Sequence, residues 1–281
     1  MSLSLRDELR VVLLPDQVLL VRIGRRLSLA GIQYRILEKK SVPCGDVEAG
    51  EDLWSAAIRT LSTELPGFIG NASSATVILS SHFMHYEMIP WNRELGGDEE
   101  ELAYARYCFT QIYGPAAETW ELRLSQDAAG APQLASAVDV RLLEAVRGVF
   151  AQAKVRLESV QPYLMAAYNN CRHRLQNQNG WFVVFEAGSL CIAQLQQGNC
   201  RSVRTLKAGS DWRATLPLIL ERQAYLTEVD AATDQVFVWA PEYGETPVPV
   251  GGQWKIRGVR PVIRPGFMPE YDARYALAMG A

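Results

Sequence analysis

The chain predicts an α/β fold made of two copies of one strand–strand–strand–helix unit, and three observations carry that reading. Residues 9–42 read LRVVLLPDQVLLVRIGRRLSLAGIQYRILEKKSV, three β-rich runs broken at Pro15-Asp16 and near Gly31. Residues 181–207 read WFVVFEAGSLCIAQLQQGNCRSVRTLK, three more runs broken at Ala187-Gly188-Ser189 and at Gln197-Gly198-Asn199. Each triplet is followed by a helical pattern, over 51–65 and over 212–226. Runs rich in Val, Ile, Leu and Tyr between turn residues read as strands, and Asp, Asn and Gly at the breaks are turn formers. A unit that occurs twice specifies two related α/β lobes.

In the first lobe, Glu51 and Asp52 suit the positive end of a helix dipole. Leu53, Trp54, Ala57, Ile58 and Leu61 supply the apolar stripe of that helix, and Pro66-Gly67 is expected to end it. Residues 75–80 form a short strand of the buried type. The block 82–140 then departs from the pattern of the lobe. HFMHYEMIPW reads as a strand, DEEELAYARYCFTQIY as a helix with acids in its first turn, and ETWELRLSQ and APQLASAVD as strands around a turn at 127–130. A helix over 140–154 follows, with Leu142, Leu143, Val146, Val149 and Phe150 on one face. A strand at 156–160 and a helix at 162–175 complete the order of a small α+β insertion that rejoins its parent lobe. NQNG at 177–180 reads as a linker. After the second triplet and its helix come a strand at 235–239, a Pro/Gly-rich loop at 241–252 and a short run at 260–263. A closing helix at 270–281 carries Tyr271, Tyr275, Leu277 and Ala278. The expected division is 1–81 plus 141–176 for the first lobe, 82–140 for the insertion and 177–281 for the second lobe.

Bulk properties exclude several classes. The 281 residues allow one bilobed domain or two modest ones, and 48% apolar with 21% charged residues is an ordinary globular composition. A formal charge of −3 and scattered arginines give no footprint for nucleic acid. Five cysteines, with no C-x-x-C spacing, argue against a zinc site or a disulfide framework and for a reducing cytoplasm. Cys171 and His173 are too few to ligate a metal. The start MSLSLRDELR has charges where the core of a leader should follow, so no signal peptide is expected. Apolar runs fall far short of the ~20 residues that span a bilayer.

An insertion placed after the fourth strand of the first lobe resembles the arrangement in the cell-division protein FtsA and the pilus-assembly protein PilM. HFMHYEMIPWNRELGGDEEELAYARYCFTQIYG, RLESVQPYLMAAYN and YDARYALAMGA are similar to segments of the PilM-like group. That group includes the cytoplasmic domain of the type II secretion protein GspL and the MSHA pilus protein MshI. The resemblance implies the actin-like ATPase fold, a duplicated RNase H-like α/β architecture with an FtsA/PilM-type α+β insertion in the first lobe.

Such ATPases hold phosphates with two hairpin turns, each usually Asp-x-Gly, where the Asp acts through Mg²⁺ and the Gly lets amides approach. Here the first turn is Leu14-Pro15-Asp16-Gln17-Val18, with an acid but no Gly, and Pro15 lacks an amide donor. The second is Phe185-Glu186-Ala187-Gly188-Ser189, which offers Glu186 in place of Asp. A Gly-Gly turn for adenine should fall near Val238, where Trp239-Ala240-Pro241 stands, and an acid after strand five has become Gln161-Pro162. Read locally, Asp16 and Glu186 are ordinary turn acids. Read through the resemblance, Asp16, Glu186, Gly188 and Ser189 are a degenerate nucleotide site. Four altered elements point to a pseudo-ATPase with no cofactor and no catalytic residue.

Other residues carry no mechanism. His82 and His85 at i, i+3 on a strand point to opposite faces, so they share no metal. Ser80-Ser81-His82 lacks a glycine elbow and a placed acid, and supports no hydrolase. The leading expectation is a non-catalytic assembly factor of a type IV pilus, MSHA pilus or type II secretion machine. Through the resemblance, it is cytoplasmic and held at the inner membrane by the cytoplasmic N-terminal tail of a PilN-like protein, alongside other assembly proteins. An extended tail on a strand edge gains backbone hydrogen bonds. Phe83, Tyr86, Met88 and Trp91, with Tyr104 and Tyr107 behind, are the candidate residues of a groove expected between the first lobe and the insertion; the same side chains also suit the core of the insertion. The alternatives are an active actin-like ATPase or small-molecule kinase of the same fold, and a ferredoxin-like regulatory protein.

Overall fold

The computed structural model describes residues 3–4, 6–28, 31–125, 130–227, 234–243, 253–260 and 265–280. The first triplet is β2 (Asp7–Leu13), β3 (Gln17–Ser28) and β4 (Gly31–Pro43), preceded by the short β1 (Leu3–Ser4). Helix α1 (Ser55–Phe68) and β5 (Ala72–Leu79) follow. The insertion comprises β6 (Met84–Ile89), α2 (Asp98–Tyr113), β7 (Trp120–Leu124) and β8 (Gln133–Asp139). Next come α3 (Val140–Gln152), β9 (Arg156–Pro162) and α4 (Tyr163–Leu175). The second triplet is β10 (Gly180–Glu186), β11 (Ser189–Gln196) and β12 (Asn199–Lys207), followed by α5 (Trp212–Leu226), β13 (Gln235–Trp239) and β14 (Lys255–Gly258). The chain closes on α6 (Pro269–Asp272) and α7 (Ala276–Met279). Expectations for 127–129, 244–252 and 261–263 lie outside the described residues.

Two compact units result: Met1–Phe83 with Val140–Asn170 and Pro261–Ala281, and Met84–Asp139 with Cys171–Arg260. In the first, β2 pairs antiparallel with β3 and β3 antiparallel with β4, while β2 pairs parallel with β5 and β5 with β9. Leu9, Val11 and Leu13 of β2 are fully buried, because both faces of a central strand are covered. Helix α1 buries Ala56, Ala57, Leu61, Leu65 and Phe68. It begins at Ser55 rather than 51, since Glu51 is engaged as a tether: its carboxylate accepts from Arg59 Nη1 at 2.6 and 2.7 Å and from Glu48 N at 3.2 Å. It also runs past Pro66. The ring removes only one amide donor, and the last turn closes through Ile69 N to Leu65 O at 3.1 Å.

The closing segment was expected with the second lobe but belongs to the first unit. Lys39 of β4 binds Asp272, and Arg10 Nη1 of β2 donates to Gly280 O at 3.2 Å. These partners lie more than 200 residues apart in sequence. The segment is also broken, with a 3-10 turn at Ala273–Tyr275 between α6 and α7.

The second unit repeats the plan of the first. Strands β10, β11 and β12 form an antiparallel triplet, and β13 pairs parallel with β10. One face of this sheet packs Trp181, Val183, Phe185, Leu190 and Ile192 against Trp212, Leu216 and Leu220 of α5, with Trp254 alongside.

The insertion is its own antiparallel sheet, in the order β6-β8-β7. Ile89, Leu122, Ala135 and Ala137 pack under Ala105 and Phe109 of α2. The strand expected over 82–91 is shorter, because Ser81–Phe83 is a 3-10 turn in which Ser80 Oγ accepts from His82 N at 3.0 Å. His82 therefore sits on no strand.

His85 lies half-buried on the α2 side, stacked on Trp120 with centroids 3.9 Å apart and 5.0 Å from Tyr113. Burial holds its imidazole below the ordinary 6.5. The unfolded chain then binds the proton more readily, so stability is present above pH ~6.5 and lost as pH falls below it. The melting temperature of the wild type should drop between pH 7 and 5, and His85→Phe, which keeps the stacking, should flatten that slope. Equal slopes would sink the assignment.

Candidate functional site

In the first turn, Leu14 N bonds Gln17 O at 3.0 Å around Pro15-Asp16. Asp16 is exposed, and its carbonyl accepts from Cys44 N at 2.7 Å. Gln17 Oε1 accepts from Ser41 Oγ at 2.9 Å, so this side chain is tied down inside the hairpin. None of these turn residues has a positive φ. A phosphate nest needs alternating right- and left-handed residues so that successive amides converge, and here Pro15 lacks an amide altogether.

The second turn differs. Glu186 pairs with Ser189 across Ala187-Gly188, and Gly188 has φ 82°, the left-handed geometry that favours glycine. Its carbonyl accepts from Ala208 N at 3.2 Å. Ala187 and Gly188 are exposed, whereas Glu186 and Ser189 are buried. The left-handed glycine survives; the acid is one methylene longer than Asp and turned from solvent. Asp16 belongs to the first unit and Glu186, Gly188 and Ser189 to the second.

At the third element, the indole of Trp239 is fully buried. Its Nε1 has no hydrogen-bond partner among the described residues, and Pro241–Tyr243 follows as a 3-10 turn. A buried indole thus stands where the resemblance leads one to expect a Gly-Gly turn. At the fourth, Gln161 Nε2 donates to Ser159 Oγ at 3.3 Å, and Pro162 ends β9. Among the described residues, no three His, Cys, Asp or Glu side chains are placed to hold a metal.

The six candidate partner residues separate by burial. Phe83 and Tyr86 are only 6% and 5% exposed and pack as core, which corrects their expected place on an open groove. Alternation along β6 explains Tyr86. His85 and Glu87 meet Tyr113 of α2, and Ile89 packs with Phe109, so Tyr86 and Met88 face the other way. There β12 runs against β6 and β8, with Cys200 Sγ 3.8 Å from Met88 Sδ. Tyr104 is half-buried. Trp91 and Tyr107 stand out in solvent, 45% and 60% exposed.

The outer strands of this sheet are β6 and β7. Arg106 Nη1 of α2 donates to Trp120 O, at the start of β7, at 3.1 Å. Sequence reasoning passed over Leu102, 36% exposed, and read the acids Asp98, Glu99, Glu100 and Glu101 only as helix-starting residues. Both features were visible as an acidic run leading into an apolar residue.

No family model matches this sequence, and no curated protein does. Solved structures do match in fold. The chain is similar to one in the PilM-PilN type IV pilus biogenesis complex, with TM-score 0.64 and 14% identity over 97% of this chain and 96% of that one. It is also similar to the cytoplasmic domain of EpsL, an inner-membrane component of the type II secretion system of Vibrio cholerae. There the TM-score is 0.56 and the identity 10%, over 90% of each chain. A protein from Bacteroides thetaiotaomicron with an actin-like ATPase fold matches at TM-score 0.51 and 13% identity, over 83% of this chain and 81% of that one. At such identities the likeness concerns the fold, and the fold is actin-like.

Proposed function

We propose that this actin-like chain is a non-catalytic scaffold in the assembly of a type IV pilus, an MSHA pilus or a type II secretion machine. It captures the cytoplasmic N-terminal tail of a PilN-like inner-membrane protein and is held at the membrane by that partner. The observation that carries this reading is the mutual, nearly complete coverage with a chain of the PilM-PilN complex. Coverage of that extent leaves no room for the insertion to be a feature of this chain alone.

Two further observations support it. The phosphate turns have lost groups that a nucleotide needs, above all the amide at Pro15 and the open backbone at Trp239. No helix among the described residues is long and apolar enough to cross a membrane, so attachment through a partner is in keeping. The exposed Trp91 and Tyr107 are the anchors, with the acids of the first turn of α2 close to them in sequence. Cytoplasmic segments flanking membrane spans are rich in Lys and Arg, which suits an acidic surface.

The test is calorimetry with a synthetic peptide of the tail of a PilN-like protein from the same genome. Aromatic anchors commonly cost ~2 kcal/mol or more when truncated. Trp91→Ala should therefore weaken binding at least about tenfold and leave the melting temperature unchanged, as befits an exposed residue. Full affinity in that variant would remove Trp91 from the site, and full affinity without the insertion would remove the site itself. In the same instrument Mg-ATP should give no binding heat. A low-micromolar constant, about −8 kcal/mol, would overturn the pseudo-ATPase reading in favour of an active nucleotide enzyme.

A further inference from the structure

Helix α5 is apolar on two opposite sides. Trp212, Leu216, Leu220 and Gln223 are buried on its sheet. Leu218, Glu221, Arg222 and Tyr225, at i, i+3, i+4 and i+7, share the face turned away from that sheet. Leu218 is 69% exposed and Tyr225 85%, with Leu226 at 61% on the rim. Isolated exposed apolar residues need no explanation, but three within nine residues of one helix form a stripe. Glu221 and Arg222 are exposed between the apolar ends, and neither makes an ion pair among the described residues.

The stripe is self-complementary. Read in either direction it runs apolar, charged, charged, apolar, and the two charges are opposite. A two-fold axis through its midpoint brings two antiparallel helices together. Leu218 then meets Tyr225 of the second copy and Glu221 meets Arg222, each contact occurring twice as an isologous interface requires. A parallel copy in register would instead set Glu against Glu. We propose that this face of α5 is a self-association surface whose occupant is a second copy of the same chain, packed antiparallel.

One helix crossing buries less than the ~1,200 Å² of a standard interface, so the association is a weak, transient one. Sedimentation equilibrium of the full chain, carried to high protein concentration, reads it directly. The wild type should dimerise reversibly. Glu221→Arg sets like charges against each other twice and should weaken the dimer at least about tenfold, as should Arg222→Glu. The double variant E221R/R222E restores every cross-copy pair and should return to within about threefold of the wild type. Leu218→Asp should abolish the dimer. All of these positions are exposed, and unchanged melting curves confirm that the variants fold. A wild type that stays monomeric throughout would overturn the proposal. So would a double variant no better than the single ones, or a dimer indifferent to Leu218→Asp.

Discussion

Trp212→Ala should cost the second unit about 3–5 kcal/mol of stability, the range for a fully buried Trp truncated to Ala. The indole is 1% exposed, stacked on Phe185 with centroids 4.5 Å apart and planes 16° from parallel. Arg213 Cζ lies 4.7 Å from the ring centroid on the same residue. Removal loses three things together: apolar area withdrawn from water, an offset-stacked pair and the residue that fixes the first turn of α5 on its sheet. Trp212→Phe keeps the stacking and should cost less. Urea unfolding followed by tryptophan fluorescence is the right measurement, because Trp54 alone of the seven tryptophans lies in the first unit. A loss below about 1 kcal/mol would mean that the site collapses around the cavity, and that α5 is held chiefly by Leu216 and Leu220.

The two triplets were legible because their signals are local. Val, Leu and Ile runs between Pro15-Asp16, Gly188 and Gly198 define strands whose registers follow from the turns, and α5 begins and ends where its apolar spacing does. What was not legible depends on contacts distant in sequence or on small polar choices. Nothing in HFMHYEMIPW says that Ser80 Oγ will bond His82 N and delay the strand to Met84. Nothing in the pattern of β6 says which face β12 will cover, so Tyr86 and Trp91 read alike although one is core and the other solvated. The home of the closing segment rests on Lys39 meeting Asp272, a pairing that no periodicity encodes.

In the degenerate turns, substitution of the acids alone would be weak evidence, since Asp and Glu are common in turns for local reasons. Backbone geometry is the stronger argument. Pro15 removes a donor irrespective of its neighbours, and a fully buried Trp239 occupies volume that no rotamer change at the surface can free. Gly188 alone keeps the conformation a phosphate turn needs. If nucleotide chemistry is lost on this fold, as proposed above, the surfaces proposed with it become the parts to test: the exposed aromatics of the insertion and the outer face of α5.

Lys39→Ala should destabilise the first unit by about 3 kcal/mol, the low end for removing one partner of a buried ion pair, because Lys39 is itself one-third exposed. Asp272 has no exposed side-chain area, and its Oδ2 also accepts from Met268 N at 2.9 Å. Without the ammonium group, a carboxylate remains in the interior with Met268 N as its donor, and its desolvation is no longer offset. The closing segment should respond first, since Asp272 starts the run whose buried residues, Tyr275 to Met279, lie on the far side of that contact in sequence. Hydrogen exchange should therefore rise over residues 269–280 before it rises in β2 or β5. The double variant K39M/D272N removes both charges and keeps most of the volume, and should recover more than half of the loss, because an uncharged pair carries no uncompensated desolvation. If K39M/D272N is instead as unstable as Lys39→Ala, the attraction between the charges, rather than the stranded carboxylate, holds the closing segment to β4.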